Sequence, residues 1–128
     1  MSLSSIEIIC HATEDWDKLE QAAVKTFGPG FSKKKLEGHW GNPILLLNKR
    51  FEKKESVQLI SRIADSVPIK PVEYVQDNQI YLKLSKQAML AGKLEKGEGV
   101  LFRTLVPARQ DPNSFWDKHK SVKKQEQS

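Results

Sequence analysis

Between positions 33 and 54 stand seven cations, Lys33, Lys34, Lys35, Lys49, Arg50, Lys53 and Lys54. Only Glu37 and Glu52 oppose them, so seven against two leaves a local charge of +5, equal to the formal net charge of the whole 128-residue chain. Residues 1–32 carry five acids against Lys18 and Lys25, a net of −3. Residues 83–103 carry Lys83, Lys86, Lys93, Lys96 and Arg103 against Glu95 and Glu98, a net of +3. The chemistry these residues can do is phosphate neutralisation. An acidic flank beside two basic segments makes an oriented field that steers polyanions, and nucleic acid is the polyanion a small basic domain most often meets. The first seven cations are the leading candidates for phosphate contact, followed by Lys86, Lys93 and Arg103. A merely solvated charged surface is the competing reading. Adjacent like charges repel, and with so few compensating acids the binding reading is favoured.

Other chemistry finds less support. Cys10 and His11 are neighbours in a strand-like segment, so they face opposite sides and do not pair as nucleophile and base. Glu14, Asp15, Asp17 and Glu20 crowd the start of a helix, where carboxylates already suit the positive end of the dipole. One cysteine and three scattered histidines match no zinc spacing. There is no glycine-rich phosphate loop, no dinucleotide fingerprint and no Ser/His/Asp arrangement. No metal and no cofactor are expected, and the chain is read as non-catalytic. Tyr81, beside Lys83 and Arg103 on outward strand positions, could stack an unpaired base. Trp40 and His39 occupy a hairpin tip, where a tryptophan folded over the core edge competes with one that meets a base.

The elements that must position these residues follow from period and punctuation. Ile6, Ile8, Cys10 and Ala12 alternate with Glu7, Ile9 and His11 as a half-buried strand. Thr13 reads as an N-cap, and Trp16, Leu19, Ala23 and Phe27 form one apolar helix face that Gly28-Pro29-Gly30 stops. Phe31 to Trp40 and Pro43 to Phe51 read as a hairpin about Gly41-Asn42, which would carry Lys49 to Lys54 back toward Lys33 to Lys35. Val57, Leu59, Ile60, Ile63, Ala64 and Val67 describe a second helix, and Pro68 and Pro71 open a loop over 68–78. Ile80, Leu82 and Leu84 mark a fourth strand. Ser85 caps a short helix that Gly92 ends, and Val100, Phe102 and Thr104 mark a fifth strand. Asp111-Pro112 opens a helical turn carrying Phe115 and Trp116, with a flexible tail after Val122. The order β-α-β-β-α-β-α-β predicts an α+β fold, a mostly antiparallel sheet with two main helices on one face. A single domain over 5–106 with an extension over 107–128 is expected. The lone cysteine, the short apolar runs and the lack of a secretory pattern at the start fit a cytoplasmic protein.

Three stretches then resemble a known family: Glu14-Asp15-Trp16-Asp17-Lys18-Leu19, Glu37-Gly38-His39-Trp40-Gly41-Asn42-Pro43, and Leu84-Ser85-Lys86-Gln87-Ala88 with Gly92. Together they resemble an archaeal family of small RNA-binding proteins, formerly a domain of unknown function. The resemblance implies a fold like the double-stranded-RNA-binding domain and like a ribosomal protein that holds the smallest ribosomal RNA. It also implies RNA as partner, with exosome association, RNA processing or degradation, or ribosome assembly as the setting. Ser85-Lys86-Gln87-Ala88 is similar to the Ser-Lys-Lys-x-Ala run whose lysines reach phosphates in that domain. Gln87 replaces the second lysine and Leu90 or Ala91 the third, which leaves Lys86 and the helix N-terminus as the implied contacts. The competing functions are a protein-interaction module docking on an RNA-processing complex and a metal-dependent nuclease. Pairing of copies through an edge strand is open.

If five of the named cations touch phosphate, log affinity for RNA falls with log salt at a slope of roughly −3.5 to −4.5. Replacing Lys33, Lys34 and Lys35 with Gln should flatten that slope in a filter-binding salt series. An unchanged slope removes the hairpin from the interface.

Overall fold

The computed structural model describes residues 3–38, 41–107 and 109–127, with side chains through His119 except that of Val72. The elements run β1 (Ser4–Cys10), α1 (Trp16–Phe27), β2 (Ser32–Glu37), β3 (Pro43–Phe51), α2 (Lys53–Ser66), a 3-10 turn (Pro71–Tyr74), β4 (Val75–Gln76), β5 (Gln79–Ser85), α3 (Lys86–Leu90), β6 (Gly99–Leu105) and α4 (Pro112–Gln127). The strands form one open antiparallel sheet in the order β2-β3-β1-β6-β5-β4. The α+β class and the element order therefore stand as expected, with one more short strand. The chain groups into two compact units, one of Met1–Ser5, Arg50–Leu82 and Phe102–Ser128, the other of Ile6–Lys49 and Lys83–Leu101.

In the second unit, Ile6, Ile8, Cys10, Leu19, Ala23, Leu45 and Leu47 are buried. Glu7 and Ile9, the alternate positions of β1, are partly exposed, so that strand turns one face away from α1. Helix α1 starts two residues later than Thr13 suggested. Asp15 is the N-cap, and its carboxylate accepts the Lys18 N–H at 3.2 Å. Strand β2 pairs antiparallel with β3, Ser32 opposite Asn48 and Glu37 opposite Pro43. It ends at Glu37 rather than Trp40, and at Gly38 an added Cβ would sit 2.5 Å from Ile44 Cδ1. The Gly38 N–H donates to the Asn42 carbonyl at 2.7 Å, so the connection is longer than a two-residue turn. His39 and Trp40, and with them the reading of the hairpin tip, lie outside the described residues.

In the first unit, α2 buries Leu59, Ile60, Ile63 and Ala64 and packs along α4. Val57, grouped with the apolar face by spacing, is 48% exposed instead. The loop expected over 68–78 contains β4. Val75 pairs with Ile80 and Gln76 with Gln79 through a turn in which Asp77 (φ 52°) and Asn78 (φ 60°) are left-handed. Asp and Asn tolerate that conformation, which suits a two-residue hairpin. Helix α4 opens as read, with Asp111 accepting the Ser114 N–H at 3.1 Å, but it runs on to Gln127 rather than stopping after one turn. Phe115, Trp116 and His119 lie on one buried stripe that holds it along α2. Trp116 is 1% exposed and its ring lies 6.3 Å from that of Phe102.

Trp116→Ala should therefore destabilise the protein by about 3–5 kcal/mol, seen as a lower midpoint in urea unfolding. A loss under about 1 kcal/mol would mean that α4 is not part of the cooperative core.

Candidate nucleic-acid interface

Strand alternation sorts the cations. In β3, Leu45, Leu47, Lys49 and Phe51 are buried, so Lys49 belongs to the inward set and Arg50 to the outward one. In β6, Val100, Phe102 and Thr104 are buried and Arg103 points outward. In β5, Ile80 and Leu82 are buried while Gln79 and Tyr81 stay half-exposed. These parities place Arg50, Ser5, Arg103 and Gln79 on four successive strands, β3, β1, β6 and β5, all within the first unit.

The four side chains, with Leu3 and Leu105, line a hollow of about 310 Å³. Among the described residues no carboxylate lines it. Arg103 Nε donates to Ser5 Oγ at 3.3 Å, which orients the guanidinium. Below, the Ser4 hydroxyl lies 2.5 Å from that of Ser56 on α2 and donates to Thr104 at 2.9 Å. This buried hydroxyl chain ties the strands beneath the hollow to the helix. Lys53 and Lys54 follow three and four residues after Arg50, exposed in the first turn of α2, where Glu52 at the N-cap makes no side-chain cap bond. Two cations at the positive end of a helix dipole work against helix stability, and Glu52 and Glu55 in the same turn balance their charge.

The second unit treats its cations differently. Lys34 and Lys35 are exposed on edge strand β2, Lys93 is exposed beyond α3, and no ion pair among the described residues uses them. Lys34 shares a face with Leu46, while Lys33 and Lys35 share the other with Leu47 and Leu45. Lys33 is paired with Glu20 at 2.8 Å, and Lys83 lies 3.6 Å from Glu98. Lys49 lies one residue beyond the Ser32–Asn48 pair, yet its ammonium goes inward and donates to the Phe27 carbonyl at the end of α1, at 3.1 Å. Gly28 (φ 92°) makes room for it, since a Cβ there would be 3.0 Å from Lys49 Nζ. A cation at a helix C-terminus is a structural partner for the dipole.

Lys86 is held internally as well. Its ammonium donates to the Ile9 carbonyl at 2.7 Å and to Glu14 Oε1 at 2.6 Å, and its side chain is 11% exposed. Ser85 caps α3 as read, accepting the Ala88 N–H at 3.0 Å, and the Lys86 N–H donates to the Glu98 carbonyl at 2.9 Å. Two of the N–H groups at the helix N-terminus that the resemblance implied, those of Lys86 and Ala88, are thereby occupied. The hairpin cluster is thus divided, with Lys33, Lys34, Lys35 and Lys49 in one unit and Arg50, Lys53 and Lys54 in the other. Arg50 and Arg103 are brought to one hollow. Ser5 and Gln79, which join them, carry only the faint signal of outward strand parity.

The Cys10 thiol is pushed up to about 11 by burial, against the pull of the Lys86 charge, so it stays protonated at neutral pH. Among the described residues no group of three His, Cys, Asp or Glu is placed to hold a metal ion. No helix among them is long and apolar enough to cross a membrane.

A family model described as RNA binding matches residues 5–101. An uncharacterised protein of Methanocaldococcus jannaschii is 28% identical over 116 aligned residues, covering 76% of this chain and 78% of that protein. The crystal structure of a protein from Sulfolobus solfataricus superposes with a TM-score of 0.73 at 20% identity, over 96% of this chain and 98% of the other. A structure from Methanothermobacter thermautotrophicus superposes with a TM-score of 0.63 at 20% identity, over 94% of each chain. These two likenesses show the fold.

The Lys86–Glu14 pair has a pH signature. Burial alone would raise the Glu14 carboxyl, but the Lys86 hydrogen bond, the His11 N–H and the Lys86 charge outweigh it and hold the group below its ordinary 4.5. A carboxyl depressed in the folded state contributes stability above its unfolded value and loses it as pH falls through the folded one. Glu14→Gln should lower stability by about 1–3 kcal/mol at pH 7, and the difference from the parent should shrink in urea titrations below about pH 4. An equal difference at both pH values would show that the carboxylate charge is not what holds Lys86.

Proposed function

Because the chain belongs to this family of small RNA-binding proteins with archaeal members, we propose that it grips RNA phosphates through its outward cations. The observation that carries the reading is the meeting of Arg50 and Arg103, from strands distant in sequence, around one hollow without a carboxylate. Planar guanidiniums form paired hydrogen bonds to phosphate oxygens that an ammonium does not. Lys53 and Lys54, between Glu52 and Glu55 at the start of α2, and Lys34, Lys35 and Lys93 in the second unit offer further exposed charges. Lys33 can join by exchanging Glu20 for phosphate, a small loss because an exposed ion pair is weak. Lys49 and Lys86 support the fold around these contacts.

The chain is proposed to act by binding, with no catalytic step of its own. RNA processing or degradation beside the exosome, or ribosome assembly, is the setting the family resemblance supports. Contacts of this kind position the protein on the backbone and do not read sequence. Replacing both Arg50 and Arg103 with Gln should weaken RNA binding more than tenfold near physiological salt. It should also reduce the salt slope by roughly 1.4 to 1.8. Unchanged affinity and slope in filter binding would overturn the assignment. Partner capture that is salt-sensitive yet survives RNase would favour a protein ligand.

A further inference from the structure

Resting on the RNA-binding reading, we infer that the Arg50–Arg103 hollow is a subsite for a phosphomonoester carried by a nucleotide, either the end of an RNA strand or a free mononucleotide. Three observations lead there. The first is shape. The residues line a hollow of about 310 Å³ that is open to solvent. That volume sits at the lower end of small-ligand sites, about 300–1,000 Å³, so it has room for one nucleotide.

The second is charge. A phosphodiester bears one negative charge, which a single guanidinium neutralises. A phosphomonoester bears about −1.5 to −2 at pH 7. Two guanidiniums line the hollow with no acid beside them, and neither has an ion-pair partner among the described residues. Leaving two such charges together in the free protein is repulsive, and a dianion removes that repulsion.

The third is the set of donors. Arg103 gives Nε to Ser5, so its guanidinium plane is set and its terminal N–H groups remain for a ligand. The Ser5 hydroxyl proton is left to donate to the same anion. Gln79 on the neighbouring strand supplies a donor and an acceptor at the rim, suited to a ribose hydroxyl or a base edge. The Ser4–Ser56–Thr104 hydroxyl chain keeps the floor in place, so little ordering is needed when the ligand arrives.

The test compares one single-stranded RNA oligonucleotide with hydroxyls at both ends against the same oligonucleotide with a 5′- or a 3′-phosphate. Nucleoside monophosphates, the matching nucleosides and inorganic phosphate are titrated calorimetrically beside them. One phosphorylated end should bind roughly tenfold tighter than the hydroxyl form, and Arg50→Gln should abolish that preference. Arg103→Lys, which keeps the charge and loses the fork, should reduce it while leaving the melting temperature unchanged. Equal binding of all three oligonucleotides overturns the inference and leaves RNA binding standing. Binding of the monophosphates alone, lost in Arg50→Gln, supports the subsite and overturns the RNA reading. Inorganic phosphate binding as tightly as the monophosphates would remove the nucleotide from the assignment and overturn it in this form.

Discussion

Side chains on a strand alternate between two faces, and in this protein one of those faces is given to the core. Ile6, Ile8, Leu45, Leu47, Ile80, Leu82, Val100 and Phe102 are 5% exposed or less, all at inward positions. Burial of that set ties β1, β3, β5 and β6 each to one register, since a slip by one residue would move their apolar side chains into water. In β3 the same constraint decides the fate of two adjacent cations. An inward Lys49 has to find a partner inside, and an outward Arg50, its immediate neighbour, is left to meet solvent or ligand.

The inward cations are accommodated by backbone carbonyls and one carboxylate. Lys49 reaches the Phe27 carbonyl at the negative end of α1, and Lys86 reaches the Ile9 carbonyl and Glu14. Each has a polar partner, as a buried charge requires. The Lys86 contact also explains Gly99, whose Cβ would lie 2.8 Å from that of Lys86 and whose φ of 104° suits glycine. Part of the positive charge counted in the sequence therefore serves packing. Arg50 and Arg103 keep their charge available, and in the first unit they line a hollow built over hydroxyls.

As the proposed phosphate site, the hollow joins two requirements that usually conflict. Like charges held near one another destabilise the free protein, while a preformed site limits the ordering that binding demands. Hydroxyl groups settle the conflict locally. Ser5 orients one guanidinium without neutralising it, and the Ser4–Ser56–Thr104 chain supplies a polar floor without a carboxylate. An acid in either place would have stabilised the free state and repelled a phosphate.

Much of the local structure was legible in the residues themselves. The strand periods, the Ser85 cap, the stop at Gly28 and the charge asymmetry all depend on neighbours within a few positions. The inward place of Lys49 was legible too, through its parity with Leu45, Leu47 and Phe51, although the sheer density of lysines hid it. The tertiary structure alone decided that Lys86 would face Glu14, that α4 would continue along α2, and that Arg50, Arg103, Ser5 and Gln79 would line one hollow. Alternation tells which way a side chain points but not which strand lies beside it. Strand order and register depend on the whole buried surface, so the partners of a charge became known only once the sheet was assembled.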